Sequence, residues 1–281
     1  MSLADYAARQ SLHRVGARPG FWRYLKQTWE RRDFAITMAR FRLAAGQEEN
    51  RLGVLWLVIR PALNALIYGL IFGVLQGDKR PPDYPAYVAV GVFLFEFFST
   101  SLNMGAKSIT GNRALVQSLA FPRLTLPISV VLQQLFALMP MLLVLAAALI
   151  GFGHLPTWKW LLMAPLIALY ALFNAGVAMI AARLTVHVRD LTQLLPFVNR
   201  ILFYTSGVLF AVDRILEKYP WAVEAYDFHP IYQVLQLARG LLMDQGTAHP
   251  EYWFYLSLWA VLTFVAGLLF FWVAEESYGR D

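Results

Sequence analysis

Hydrophobic positions run along this chain in long blocks separated by short polar breaks, and the first change from polar to apolar falls between Arg31 and Pro61. Within that stretch Phe34, Met38, Phe41 and Ala45 recur at helical spacing, while Arg40, Gln47 and Arg51 recur along another line. The pattern predicts an amphipathic helix. Its apolar stripe suits a headgroup boundary, and its basic stripe suits anionic lipid or a soluble partner. From Leu52 to Leu75 only Arg60 and Asn64 interrupt an apolar run, long enough to cross about 30 Å of hydrocarbon at about 1.5 Å per residue. Comparable blocks follow at Ala86 to Met104, Pro127 to Phe152, Trp160 to Ala182, Leu194 to Val212 and Tyr252 to Ala274. The fold class expected is an all-α polytopic membrane protein: six transmembrane helices, an N-terminal amphipathic helix, and short re-entrant helices in the last outer segment.

Composition agrees with the pattern. The chain has 281 residues, 58% hydrophobic and only 15% charged, and its mean hydropathy of +0.50 lies outside the range of an ordinary soluble domain. The formal net charge is +6, and 10 of the 24 Lys and Arg residues lie before residue 54. Positive charge beside a first span is what the positive-inside rule expects, so no nucleic-acid partner is implied. With the N-terminus inside, the cytoplasmic pieces with Arg60 and Arg200 hold 18 basic residues against six in the outer pieces. Both termini are therefore expected in the cytoplasm. No cleavable signal peptide is expected, since the N-terminus lacks an early apolar core. The absence of cysteine excludes disulfides, thiolate metal sites and a cysteine nucleophile.

Finer features sharpen the picture. Gly69, Gly73 and Gly77 repeat every four residues in the first span and suggest close helix packing. Pro140 and Pro165 predict kinks in the third and fourth spans. In the outer segment 213–251, HPIYQVLQLARGLLMD has helical period but is too short to cross, and reads as a re-entrant or interfacial helix, with an ordinary folded outer loop as the alternative. No internal repeat is visible, so a central path would need two copies of the chain.

Candidate chemistry is sparse. The five histidines are scattered over both sides, and no metal-binding or catalytic constellation emerges. His187 and Asp190, three residues apart, read as a solvated loop. Glu96 is different. A carboxylate inside a span either lines a polar path or pairs with a basic residue such as Arg60 or Arg200. Aromatic residues at Phe93, Phe95, Phe97, Phe98, Phe197, Phe203, Tyr204 and Phe210 fill a bundle interior or wall a path whose flat apolar faces suit sugar rings. The chain has no Gly-Lys dipeptide and so no phosphate-binding loop. If it drives uphill transport, the motor lies elsewhere.

In four stretches, in order, the chain resembles the membrane-spanning subunit of polysaccharide-exporting ABC transporters, the permeases of O-antigen, capsule, teichoic acid and actinobacterial galactan. They are RRDFAITMARFRLAAGQEENRLGVLWLVIRP, GVFLFEFFSTSLNMGAKSITGNRALVQSLAFPRLTLPIS, RDLTQLLPFVNRILFYTSGVLF and HPIYQVLQLARGLL. The resemblance implies a non-enzymatic permease, a homodimer in the plasma (inner) membrane that works with two copies of a cytoplasmic ATPase. ATP and Mg would be used by that partner, and this chain would hold no cofactor. Residues 1–30 would be a cytoplasmic extension before a permease domain of residues 31–281. The ATPase would meet an interface helix bearing Phe34, Arg40, Glu48 and Glu49, and a coupling loop, 105–126, with Asn112, Leu115, Phe121, Pro122 and Arg123. The substrate path would be lined by Arg51, Arg60, Phe93, Glu96, Phe97, Phe203, Tyr204 and Phe210. An outer gate in 213–251 would include Trp221, Tyr226, Pro230, Tyr232 and Arg239. The implied substrate is a polyprenyl-diphosphate-linked glycan, and the excess of Arg over Lys, 19 to 5, tilts the choice toward galactan. Two alternatives stay open on the residues alone: a membrane-embedded enzyme acting on lipid-linked sugars, and a gradient-driven carrier coupled through Glu96.

Overall fold

A computed structural model describes residues 19–48, 51–77, 80–118, 121–243, 249–276 and Tyr278. Among these residues every regular element is helical. Helix α1 (Phe21–Glu30) and helix α2 (Arg32–Glu48) precede α3 (Trp56–Leu75), α4 (Tyr84–Ala106), the short α5 (Arg113–Ser118), α6 (Thr125–Gly151) and α7 (Met163–His187). Then come α8 (Leu191–Thr205), α9 (Val212–Ile215), α10 (Pro220–Asp227), α11 (Pro230–Met243) and α12 (Glu251–Val273). Five stretches are long and apolar enough to cross a membrane: Gly53–Leu75, Tyr84–Ala106, Thr125–Gly151, Trp158–His187 and Glu251–Val273.

The fifth predicted span is shorter than its apolar run. Helix α8 has 15 residues, about 22 Å at the usual rise. It stops because Gly207 takes a left-handed conformation (φ 69°) just past its last turn, where a side chain would meet the Tyr232 ring at 3.1 Å. The chain continues without regular structure to Ala211. Pro165 falls in the first turn of α7, where no backbone donor is needed, so the kink expected there has no cause.

Helix α4 is central, buried through most of its length between α3, α6, α7, α8 and α11. Helix α7 packs along both α4 and α12. Single glycines make those contacts possible. A Cβ on Gly176 would lie 2.4 Å from the Thr263 backbone, one on Gly267 2.5 Å from the Gly176 carbonyl, and one on Gly105 2.5 Å from Ala178. Without a hydrophobic force between helices in lipid, such backbone approach is a main source of packing. The repeating glycines of α3 do not serve this purpose within the chain. Gly69 and Gly77 have nothing within 4 Å, and Gly73 meets only the Tyr84 ring. Helix α3 is peripheral, with Leu66, Ile67, Leu70 and Val74 all at least half exposed.

Helix α11 is neither interfacial nor exposed, because nearly all its side chains are buried among α4, α7 and α12. Arg239 is its centre, with no exposed surface. Its guanidinium donates to the carbonyls of Gly207 (3.0 Å), Val208 (3.0 Å) and Tyr87 (3.3 Å), and stacks 3.4 Å over the Tyr87 ring. Tyr84 and Gln76 donate to the Leu209 carbonyl, and Tyr87 donates to that of Phe210. Irregular backbone among membrane helices requires its polar groups to be satisfied internally, and these four side chains do that for 207–210.

Candidate functional site: a polar groove beside the first long helix

On α3, Arg60, Asn64 and Tyr68 stand four residues apart and so share one face. On α4, Glu96, Ser99 and Asn103 form a second polar line, and only part of each is buried. Between these helices lie two cavities that meet at Glu96. One, about 270 Å³, is bounded by Arg42 of α2, Trp56 and Arg60 of α3, Glu96 and Thr100 of α4, and Gln133 and Gln134 of α6. The other, about 200 Å³, is bounded by Asn64, Tyr68, Phe95, Glu96 and Ser99, and by Asn199, Arg200, Phe203 and Tyr204 of α8. Each contains a buried amide oxygen that accepts no hydrogen bond, Gln133 Oε1 in the first and Asn199 Oδ1 in the second. Both residues are 8% exposed. Buried acceptors without donors are costly, by about 1–3 kcal/mol each, and a ligand rich in hydroxyl groups would relieve them.

Glu96 stands between Arg60 and Arg200 but pairs with neither. Among the described residues the ion pairs are Arg32 with Asp33, Arg123 with Glu275 and His154 with Asp83. Arg60 instead lies 5.8 Å from the Trp56 ring centre. The aromatic residues divide. Phe203 packs against Tyr68 and Phe95 at 5.1 Å each and walls the second cavity, beside the exposed Tyr204. Phe93 and Phe97, expected on a path, are buried behind it, Phe97 edge-on to Tyr170 at 5.5 Å. Residues 93 and 97 lie roughly 60° and 100° around the helix from Glu96, turned away from Ser99, and both are buried. Phe210 is partly buried beside the irregular segment, and Arg51 is exposed before α3.

The opposite groups, expected to meet an ATPase, gather at one end of the bundle. Arg42 donates to Asn112 Oδ1 at 2.7 Å, and the Phe34 and Phe121 rings lie 5.7 Å apart, so α2 holds the coupling loop directly. The buried seam of α2 is Ala35 and Ala39 against α6, so Phe41, placed on the apolar stripe by spacing, is 71% exposed. Small residues let the helices approach, which moves the seam one position from the one that large apolar residues suggest. Arg40 is exposed, 5.7 Å from the Phe136 ring centre, and Leu115 is partly exposed. Pro122 is buried. Glu49 and residues 1–18, 119–120 and 244–248 lie outside the described residues, as does the side chain of Glu48.

Arg123 differs from expectation. Its backbone donates to Glu275 Oε1 at 3.0 Å, its guanidinium bonds the Glu275 carbonyl, and the Tyr24 hydroxyl donates to Glu275 Oε2 at 2.6 Å. Tyr24 in turn accepts from the Leu124 N–H. Arg123 thus ties the loop 105–126 to the end of α12 and to α1, so Phe21–Glu30, within the expected N-terminal extension, is tied to the bundle. Sequence reasoning missed Glu275, which sits beyond the last apolar block with no spacing signal to Arg123. Burial pushes the Glu275 carboxyl above its usual 4.5, against the lowering effect of the Tyr24 and Arg123 hydrogen bonds and the Arg123 charge. A carboxyl raised by folding adds stability that is complete below its unfolded value and fades as pH rises through the folded one. Exchange of the Phe21–Glu30 amides, corrected for intrinsic pH dependence, is expected to be slowest near pH 4 and to quicken above it. Glu275→Gln should flatten that profile; an unchanged profile would remove Glu275 as its origin.

In the segment expected to form an outer gate, Trp221 is 71% exposed and Pro230 partly so, while Tyr226 packs 5.5 Å from Tyr232. Tyr232 is 2% exposed and Arg239 fully buried. These two are fixed parts of the core and present no surface to a path. His187, expected in a loop, is the exposed last residue of α7, with its ring bonded to the Arg183 carbonyl one turn back.

The ABC-2 type transporter family profile matches residues 34–243, about three quarters of the chain. The chain belongs to the ABC-2 type transporter family. Similar proteins include the O-antigen export system permease protein RfbA of Klebsiella pneumoniae, 28% identical over 240 residues (85% of this chain and 91% of that protein). RfbA of Myxococcus xanthus is 30% identical over 199 residues, 70% of this chain and 75% of that protein. The polysialic acid transport protein KpsM of Escherichia coli is 22% identical over 229 residues, 81% and 88% respectively. The matched region of this ABC-2 transporter chain begins at Phe34 and ends at Met243, so it contains both cavities and the coupling loop but neither α1 nor α12.

Proposed function

We propose that this chain is the membrane subunit of an ATP-driven exporter that carries a lipid-linked polysaccharide from the cytoplasmic to the outer face of the plasma membrane. An O-antigen export system permease and a polysialic acid transport protein are among its relatives. The single observation that carries the substrate class is the groove at Glu96, where an acceptor without a donor, Asn199 Oδ1, stands in the cavity walled by Tyr68 and Phe203. Sugars bring hydroxyl donors and apolar C–H faces together. A polyprenyl diphosphate would find cations at Arg42 and Arg60, at the end of the groove where α2 joins α3.

In this reading two copies enclose the path with their exposed α3 faces, and six crossings result when α8 and the segment after it count as the fifth. Each copy binds one ATPase at α2 and the coupling loop. Galactan and teichoic acid remain within the substrate class. Glu96→Leu and Asn199→Leu are expected each to lower surface display of the glycan roughly fivefold, for about 1 kcal/mol per lost hydrogen bond. Expression and assembly should be unchanged. Normal display from the double variant would sink the glycan groove.

A further inference from the structure

Helix α1 lies outside the residues matched by the family profile, and its side chains divide into three sectors. Tyr24 is fully buried against the bundle, with Thr28 and Phe21 partly so. Gln27 and Glu30 are exposed on a second side. On a third side Trp22 and Trp29, seven residues apart and therefore in line, are 80% and 70% exposed. Lys26 lies between them in sequence, and Arg32 stacks 5.4 Å from the Trp29 ring centre. Between residues 21 and 33 there are four basic residues and two acidic ones.

The height of α1 is set by its contact with α12. Trp272 Nε1 donates to the Pro19 carbonyl at 3.0 Å, and the Phe21 and Trp272 rings meet edge-on at 5.4 Å. Trp272 is in the last turn of α12, a helix of membrane-crossing length. Helix α1 therefore starts where such a helix ends, at the level of the headgroups, where tryptophan is most at home.

We propose that α1 is a membrane-surface helix that binds anionic phospholipid: Trp22 and Trp29 enter the interfacial layer, and Lys26 and Arg32 take the phosphates. Tyr24, on the opposite side, joins Glu275 and Leu124, so lipid bound to α1 steadies the segment that follows the coupling loop. The proposal does not depend on the exported substrate.

The chain has no cysteine, so single cysteines at Trp22, Gln27, Trp29 and Glu30 can carry a small fluorophore in the full-length protein, reconstituted in nanodiscs. Lipids with brominated chains are expected to quench the probes at 22 and 29 several-fold more than those at 27 and 30. Quenching at 22 and 29 should be stronger when the bromine is on phosphatidylglycerol than on phosphatidylcholine. Combining Lys26→Gln and Arg32→Gln should erase that preference. Equal quenching by aqueous iodide at all four positions would overturn the proposal. So would probes at 22 and 29 shielded from iodide yet untouched by bromine, because protein, from residues 1–18, a second copy or the ATPase, would then cover the face. Equal quenching by the two headgroups would overturn the assignment to anionic lipid.

Discussion

Arg239→Leu is expected to lower the stability of the detergent-solubilised protein by about 3 kcal/mol or more, with a matching fall in yield. The guanidinium is the donor to Val208 and one of the donors to Gly207, in a segment with no regular hydrogen bonding of its own. Losing it leaves carbonyls without partners at about 1–3 kcal/mol each, and water is not at hand among packed helices to replace it. Relief from burying a charge works in the other direction. That relief is small here, since the cation is stacked on Tyr87 and its bonds are to dipoles already in place. Leucine also leaves the space between Gly91 and Val208 underfilled, where the guanidinium now stands 2.8 Å from the position of a Gly91 Cβ. Arg239→Lys keeps the charge but not the planar fork, so it should fall between the two. Tyr84→Phe should cost only about 1 kcal/mol, because Gln76 still donates to Leu209. Thermal unfolding of the four proteins measures the order; an Arg239→Leu protein as stable as the parent would show that the segment 207–210 is held by something else.

Gly176→Leu is expected to be more damaging, leaving little folded protein. A Cβ at that position would stand 2.4 Å from both the carbonyl carbon and oxygen of Thr263, which are backbone atoms and cannot rotate aside. Helices α7 and α12 would have to separate along their length, beyond the 1–3 kcal/mol typical of overpacking that side chains can absorb (about that range in soluble cores). Gly69→Leu is the informative contrast. Nothing lies within 4 Å of its Cβ, so the subunit should fold normally. If α3 faces a second copy, that variant should instead weaken dimerisation. Size-exclusion chromatography and protease resistance separate the outcomes, and a well-folded Gly176→Leu protein would contradict the close approach of α7 and α12.

The comparison of these glycines shows what a sequence makes visible. A four-residue repeat is easy to see in α3, yet the close contacts fall at Gly105, Gly176 and Gly267, which belong to no such repeat and acquire meaning only from the helix opposite. The long apolar blocks were legible because span length is a property of one segment. The end of α8 was less so: apolar residues continue to Val212, and only Ser206-Gly207 marks the stop. Glu96 was legible because a carboxylate in an apolar run is conspicuous on its own, and it does border both cavities. Asn199, Gln133 and Asn64, its neighbours in the groove, were passed over, since neutral amides in a span carry no signal until helices bring them together. Arg239 and Arg123 show how little a lone arginine declares. Both were read as surfaces for a moving or visiting partner, and both are bound inside the chain, Arg239 by backbone carbonyls and Arg123 by Glu275. A lone arginine in sequence does not declare whether its partner is a neighbouring loop or another molecule.

The central claim is that this ABC-2 transporter chain is driven by a separate ATPase docked at the end of the bundle where α2 holds the coupling loop. A photo-cross-linking residue placed at Gln117, which is exposed on α5, tests it in the native host, with one at Leu161, exposed beyond the other end of the bundle, as the control. Mass spectrometry of the products should identify, from Gln117 alone, a protein bearing the phosphate-binding loop that this chain lacks. Cross-links to such a protein from Leu161, or none from Gln117 in cells that still export, would contradict the account.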